Sequence, residues 1–439
     1  MRRRNGKRRG ISFGTILMLS LTLCVLGALA VVLPRLQGKT NLEIDSSQVL
    51  SAMNLSSIPK LSLNDIPIQD STEKTAVPTV HATPVPTLAP QPTDETQKES
   101  ESVFTLCAGG SVMVETAVRK SAYYSDAKDY DFTDILSLLA PSMQADLTMV
   151  TFENLIASDA KYSETVTPEQ TVPMLTTAGV TAVALGFPSV YDQGITGVQS
   201  TINALRGKGL AVIGATAQAE QPANPVMLTL GGVKVALLHY IDALDSAGKK
   251  KIKKENADTV IPLIDETTMT TDIQQARNAG AQVVVVSLNW GQNGKTAPTK
   301  TQQALAQSLA DAGADVILGA GSKTVQQVTW LNTADGRKVL CAYSLGMLLG
   351  DSRKNLNVAG VLLRLTISVN DEGKVSIVQI QGVPTYIWRY KQDGQYHYRV
   401  LPSNTFAPDG MSEDQQTAMT RALKTVQTAL EGSPVSLTN

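Results

Sequence analysis

The chain has 439 residues, 38 Lys and Arg against 39 Asp and Glu, and a formal net charge of -1. That balance, with no run of interleaved basic and aromatic residues, argues against a nucleic-acid partner. Apolar residues make up 43% of the chain, enough for a sizeable core, but it has only three histidines and three cysteines, too few for an imidazole-rich dinuclear centre or a disulfide framework.

The N-terminus reads MRRRNGKRRG, six basic residues in ten, and is followed by an uncharged run from Ile11 to Leu33. At about 1.5 Å per residue that run is long enough to span roughly 30 Å of hydrocarbon. The expectation is a cytoplasmic basic tail (1–10), a signal anchor (11–33) and an exported remainder. A cleavable signal peptide is the rival reading, because Ala28-Leu29-Ala30 has the small-x-small pattern of a cleavage site. Residues 34–102, with "AVPTVHATPVPTLAPQPT" at their centre, are rich in Thr, Pro, Ser and Gln, which predicts a semi-extended extracellular tether or plain disorder without a spacing role.

From Val103 to about Pro402 short apolar runs alternate with helical stretches: "VFTLCAG", "LTMVTF", "TAVALG", "AVIGA", "VVVVSL" and "DVILGA" read as strands. "GVQSTINALRGKG" and "TKTQQALAQSLADAG" carry apolar residues at helical spacing and stop at glycines. "VKVALLHY", "VTWLNTADGRKVLCAYSL" and "VLLRLTISVNDEGKVSIVQIQGV" read as hairpin strands, with turns at Asp-Gly and Glu-Gly. The predicted fold class is α/β, two packed sheets flanked by helices, closed by a helix from about Ser412 to Leu430 within a C-terminal segment 403–439. Cys107 and Cys341 each sit in an apolar run; two buried thiols are expected, with one disulfide as the alternative. Loops after Gly110, Phe152, Leu185, Leu288 and Gly319 should meet at one rim, where ligands gather in such folds.

Six landmarks in order, "GSVMVETAV", "YDFTDILSLLAPSMQADLTMVTFENLI", "AGVTAVALGFPSVYDQGITGVQSTINALRGKGLAVIGA", "VVVVSLNWGQN", "TQQALAQSLADAGADVILGAGSKTVQQV" and "AYSLGMLLGD", resemble the CapA family of poly-γ-glutamate capsule synthesis proteins, related to calcineurin-like metallophosphatases. The resemblance implies a metallophosphatase-type two-sheet sandwich and places its metal-binding pattern on residues of other chemistry. Ser111 stands for the aspartate of Gly-Asp-x-Met, and Thr151-Phe152-Glu153 for Asn-Leu-Glu. Phe187-Pro188-Ser189, then Asp192 and Gly194, stand for Asn-Asn-His, Asp and Gly. Ser287-Leu288-Asn289-Trp290-Gly291 stands for Ser-Leu-His-Trp-Gly, with Asn293 where an acid is common. Gly319-Ala320-Gly321-Ser322-Lys323 stands for Gly-His-His-Pro-His, and Ser344-Leu345-Gly346-Met347 for Ser-Leu-Gly-Asn. No resident metal or cofactor is expected.

The degenerate cleft positions are thus Ser111, Glu115, Glu153, Ser189, Asp192, Asn289 and Lys323. Glu115, Glu153 and Asp192 could form an oxygen-rich Mg²⁺ or Ca²⁺ cluster; helix capping or pairing with a base is the structural alternative. A Ser111 nucleophile would need Lys323 or His239 as its base, although a strand-end histidine is more often structural. The "GAGSKT" loop lacks P-loop spacing; Gly319, Gly321, Ser322 and Lys323 could still hold an anion or simply form a tight turn. Lys249, Lys250, Lys251, Lys253 and Lys254 in "GKKKIKKEN" are expected in an exposed loop, either as a solvated run or in contact with an anionic cell-envelope polymer.

The functional expectation is a membrane-anchored extracellular protein acting in synthesis, export or retention of such a polymer, alongside capsule-synthesis membrane partners and without metal-dependent catalysis. A hydrolase using a reduced carboxylate site is the alternative, and an envelope sensor or scaffold a third.

Overall fold

The computed structural model describes residues 101–439 apart from 159–160, 217–221, 256–260, 352–354, 406 and 439. The expected basic tail, membrane segment and nearly all of the tether lie outside the described residues. Among those described, no helix is long and apolar enough to cross a membrane.

The first stretch builds one half of a sandwich. Strands β1 (Ser102–Val112), β4 (Leu147–Phe152), β7 (Ala182–Leu185) and β8 (Ala211–Ile213) run parallel. They are linked through α1 (Thr116–Ser121), α2 (Thr171–Thr177) and α3 (Gly194–Gly207), with two small ribbons, β2 (Tyr123–Tyr124) with β3 (Asp129–Tyr130) and β5 (Leu155–Ile156) with β6 (Val166–Thr167). A second sheet follows, from β9 (Val226–Leu230), β10 (Val233–Ile241), β11 (Val283–Trp290), β12 (Val316–Gly321), β13 (Val328–Asn332) and β14 (Lys338–Ala342), in the order β13-β14-β12-β11-β10-β9. Its helices are α4 (Ser246–Glu255), α5 (Glu266–Asn278) and α6 (Lys300–Ala312).

The chain then returns to the first sheet with β15 (Met347–Leu349), β16 (Ala359–Val369), β17 (Val375–Gln392), β18 (Gln395–Pro402), α7 (Glu413–Ala429) and β19 (Ser436–Leu437), giving the order β18-β17-β16-β1-β4-β7-β8.

Strand periodicity explains the layering. On β1, Phe104, Leu106 and Ala108 face the same inter-sheet core as Leu147 and Met149 of β4, Val235 and Leu237 of β10, and Val283 and Val285 of β11. The alternate residues turn outward. Val150, Val183 and Leu185 meet Leu175, Val198 and Ile202 from the helices, whereas Leu238, Val284, Val286 and Ile317 meet Met269, Ile273, Ala306 and Leu309. The result is a helix, sheet, sheet, helix sandwich, as expected from the sequence. The unbroken apolar run Val283–Val286 at the start of β11 reflects a strand covered on both faces.

The hairpins form at Asp335-Gly336 and Glu372-Gly373. β10, read as a hairpin strand, pairs antiparallel with β9 but parallel with β11. α6 carries a capping box between Thr299 and Gln302 and stops at Gly313, whose φ of 116° is left-handed. α7 is capped by Ser412 and lays Met419, Ala422 and Val426 in the core with Tyr386, Trp388 and Leu401, against β16 and β17. Cys107 and Cys341 are free, buried thiols belonging to the two opposite outer layers. Burial pushes the Cys107 thiol up to about 12.

One short crossing ties the sheets together. After β14 the chain passes over the strand ends at Tyr343–Gly346, where Leu345 N donates to Gly319 O on one side and Ser111 N donates to Gly346 O on the other, both at 3.0 Å. A Cβ on Gly319 would stand 1.9 Å from Tyr343 O, and one on Gly110 2.1 Å from Gly346 O, so both strands need glycine where the crossing passes.

Candidate functional site

The polar residues of the rim continue the apolar rows of the inner face. Along β4, Leu147 and Met149 are followed by Thr151 and then Glu153. Along β11, Val283 and Val285 are followed by Ser287 and Asn289, and on β10 Leu237 is followed by His239. On β1 a register shift between Ala108 and Ser111 turns Ser111 toward the same space. The inter-sheet core therefore ends, at the C-terminal ends of the parallel strands, in a buried polar layer.

Glu153 is its centre. The residue is 2% exposed, and Oε1 accepts from Ser111 Oγ at 2.6 Å and from Asn289 Nδ2 at 3.4 Å. Lys323 Nζ lies 3.5 Å from Oε2. Lys323 adopts φ 58°, a left-handed conformation unusual for a side-chain-bearing residue, in the turn that aims its ammonium back at this carboxylate. Asn289 Nδ2 also donates to Gly186 O at 3.0 Å. Between the sheets, His239 Nδ1 pairs with Ser287 Oγ at 3.0 Å and its Nε2 faces Gly186 O at 3.4 Å. Full burial lowers the His239 pKa to about 4, so the ring is neutral near pH 7. Its ring nitrogens hydrogen-bond to neither Ser111 nor Glu153.

A cleft of about 360 Å³ opens above Glu153, with Asp242, Asp245, Asn289, Asn293 and Lys323 among its walls. A larger hollow of about 850 Å³ lies at the other end of the second sheet. There the Arg277 and Arg337 guanidiniums are spent on the carbonyls of Gly313, Ala281, Gln282, Ala314 and Ala310 and on Asp315 and Asp335, a structural knot rather than a receptive surface.

The remaining sequence-predicted positions take separate places. Ser189 Oγ donates to Asp245 Oδ2 at 2.7 Å, while Asp245 Oδ1 accepts from Gly248 N at 2.7 Å in the first turn of α4. Asp192 accepts from Thr165 Oγ1 at 2.5 Å. Glu115 precedes α1 and accepts from Asp351 N; burial raises its pKa, partly countered by that hydrogen bond and by Lys323. Glu115, Glu153 and Asp192 thus have different hydrogen-bond partners, Lys323 lying near the first two.

In the "GAGSKT" loop, Ser322 is buried and donates to Thr324 O at 2.9 Å, Gly319 packs against the Tyr343 backbone, and Gly321 and Lys323 line the cleft. The lysine run is not a loop: Lys249, Lys250, Lys251, Lys253 and Lys254 lie on α4, whose docking face of Gly248 and Ile252 the charge pattern conceals.

A two-metal hydrolytic centre does not fit these residues. Such a centre needs several imidazoles and carboxylates around paired cations, whereas this cleft offers one buried carboxylate already holding a hydroxyl, an amide and an ammonium. Among the described residues no group of three or more His, Cys, Asp and Glu could hold a metal ion. Ser111 Oγ has a carboxylate partner but is fully buried, away from any incoming substrate. Sequence reasoning missed Gly186, whose carbonyl accepts from Asn289, and Asp242 and Asp245 in the cleft wall.

The family described as "Bacterial capsule synthesis protein PGA_cap" matches residues 105–352, more than half of the chain. "PGA biosynthesis protein CapA" of Bacillus subtilis (strain 168) is 24% identical over 296 residues, 66% of this chain and 74% of that protein. "Capsule biosynthesis protein CapA" of Bacillus anthracis is 31% identical over 157 residues, covering 34% of this chain and only 36% of its own length. Among solved structures, calcineurin-like phosphoesterase YfkN from Bacillus subtilis overlays at a TM-score of 0.34 with 13% identity, over 76% of this chain and 99% of that one. An overlay that loose establishes no kinship. The family match stands on its own, and the ordered landmarks fall within or beside it: the chain belongs to the CapA family of bacterial capsule synthesis proteins.

Proposed function

We propose that this is a membrane-anchored, exported CapA-family protein that acts in the synthesis, export or retention of an anionic capsule polymer such as poly-γ-glutamate, through binding and assembly rather than metal-dependent hydrolysis. Residues 11–33 would hold it in the membrane beside other capsule-synthesis proteins, with 34–102 as the tether. The names of the relatives support the polymer. The single observation that carries the non-catalytic part is the Lys323 ammonium beside Glu153: the cleft supplies its own cation, and the neighbouring former ligand positions are the neutral Ser111 and Asn289. A scaffold does not dictate chemistry, so the reading rests on these side chains and not on the fold.

The test uses the full-length chain purified from metal-supplemented cells. The expected result is no stoichiometric transition metal and no phosphodiesterase or peptidase turnover, while deletion of the protein in its own cell reduces surface-held anionic polymer. Bound metal together with chelator-sensitive turnover would establish the hydrolase reading instead.

A further inference from the structure

The lysine run forms a docked helix with two different faces. Gly248, Lys251, Ile252 and Glu255 recur at helical spacing and attach α4 to the body. Gly248 is buried near Tyr191, and Ile252 packs on the core of the first sheet's outer layer. Lys251 Nζ donates to Asp192 O at 3.4 Å, and Glu255 Oε2 accepts from Ile195 N at 3.1 Å. The outer face carries Lys249, Lys250, Lys253 and Lys254, all exposed. They form two i, i+4 pairs, with ammonium rows about 6 Å apart along the axis. None makes an ion pair with another described residue.

This arrangement is costly for the helix alone. Like charges at i, i+4 weaken it. The helix dipole favours Lys253 and Lys254 in the last turn but disfavours Lys249 and Lys250 nearer the N-terminus, so capping electrostatics explains only half of the stripe. The neighbouring cleft does not share its charge: Asp242 and Asp245 stand at its mouth, and its one lysine already faces Glu153. An anion is therefore drawn to the helix and not into the cleft.

We propose that the outer face of α4 is the binding track for a linear polycarboxylate whose charges recur at the spacing of the lysine rows. Ammonium groups read charge and spacing and, unlike guanidinium, impose no planar two-point geometry. In a γ-linked polyglutamate, five backbone bonds separate successive repeats, roughly 6 Å when extended, which matches one i, i+4 step. This inference rests on the anionic-polymer reading above and narrows it to a surface and a charge spacing.

The experiment measures binding of poly-γ-glutamate of defined length to the full-length chain in detergent micelles, with a phosphodiester polymer of equal charge as the second probe. Replacing Lys249, Lys250, Lys253 and Lys254 together by Gln should weaken polyglutamate binding about tenfold or more, as expected for four exposed charge pairs. Replacing the same four by Arg should retain most of the affinity. Binding by the wild type should fall away at about 1 M salt, where the screening length is roughly 3 Å. A fourfold Lys→Gln control at Lys300, Lys338, Lys374 and Lys391 changes net charge equally and should leave affinity unchanged; unaltered melting of all variants confirms folding.

Equal binding by wild type and the α4 Gln variant overturns the track while leaving the polymer reading standing. Tighter binding of the phosphodiester probe overturns the polycarboxylate assignment, and no binding of either probe by the wild type overturns both readings.

Discussion

Glu153 and Lys323 set the energetics of the cleft at the scale of single residues. Removing the ammonium leaves a 2%-exposed carboxylate with only neutral donors, so Lys323→Ala should destabilise the protein by about 3 kcal/mol, measured by urea unfolding. Lys323→Gly loses the same charge but suits the left-handed backbone at φ 58°, and should cost about 1 kcal/mol less than the alanine variant. Equal losses would show that the backbone conformation carries no strain. His239 gives a pH signature of definite sign. Its folded pKa of about 4 lies below the ordinary 6.5, so the unfolded chain takes up the proton first; the stability that neutral burial contributes is complete above pH 6.5 and is lost as pH falls toward 4. The loss from this group is on the order of 3 kcal/mol, and His239→Gln should flatten the stability profile over that window. An unchanged slope would remove His239 as its source.

Among the elements, the crossing at Tyr343–Gly346 is the most demanding. Gly319→Ala drives a Cβ to 1.9 Å from Tyr343 O and should cost 3 kcal/mol or more, about the scale of a severe core disruption. Gly207→Ala, at the end of α3 with nothing within 4 Å of the new Cβ, should be neutral or slightly stabilising by comparison in the same thermal melts. What the sequence made legible was local. The Thr299 and Gln302 box, the left-handed Gly313, the Asp-Gly and Glu-Gly turns and the closing helix after Ser412 all carry their signals within a few residues. The lysine helix was read as a loop because its docking face holds only Gly248 and Ile252 amid charge. The partners of Glu153 were hidden for another reason: Ser111, Asn289 and Lys323 are brought to it from three other strand ends, and no local pattern reports contacts of such sequence separation.

Over the whole molecule, the sheets are successive in sequence but joined in structure, because the chain leaves the first, builds the second and returns through the crossing to complete the first. Their shared core makes independent unfolding costly. Variants keeping only Trp290, in the second sheet, or only Trp388, in the first, should therefore report coincident transitions in denaturant; separated midpoints would mean that the halves melt apart.

Strand β1 has a mechanical consequence. It begins at Ser102, where the preceding hundred residues join, and delivers Ser111 to Glu153 in the buried polar layer beneath the cleft, roughly 30 Å away at about 3.3 Å per strand residue. Over Leu106–Ala108 it is hydrogen-bonded to β16 on one side and β4 on the other. Tension arriving through that leading segment would load both ladders in shear, with many bonds sharing the force at once instead of peeling one by one, so the domain is built to bear a pull at the end opposite its cleft.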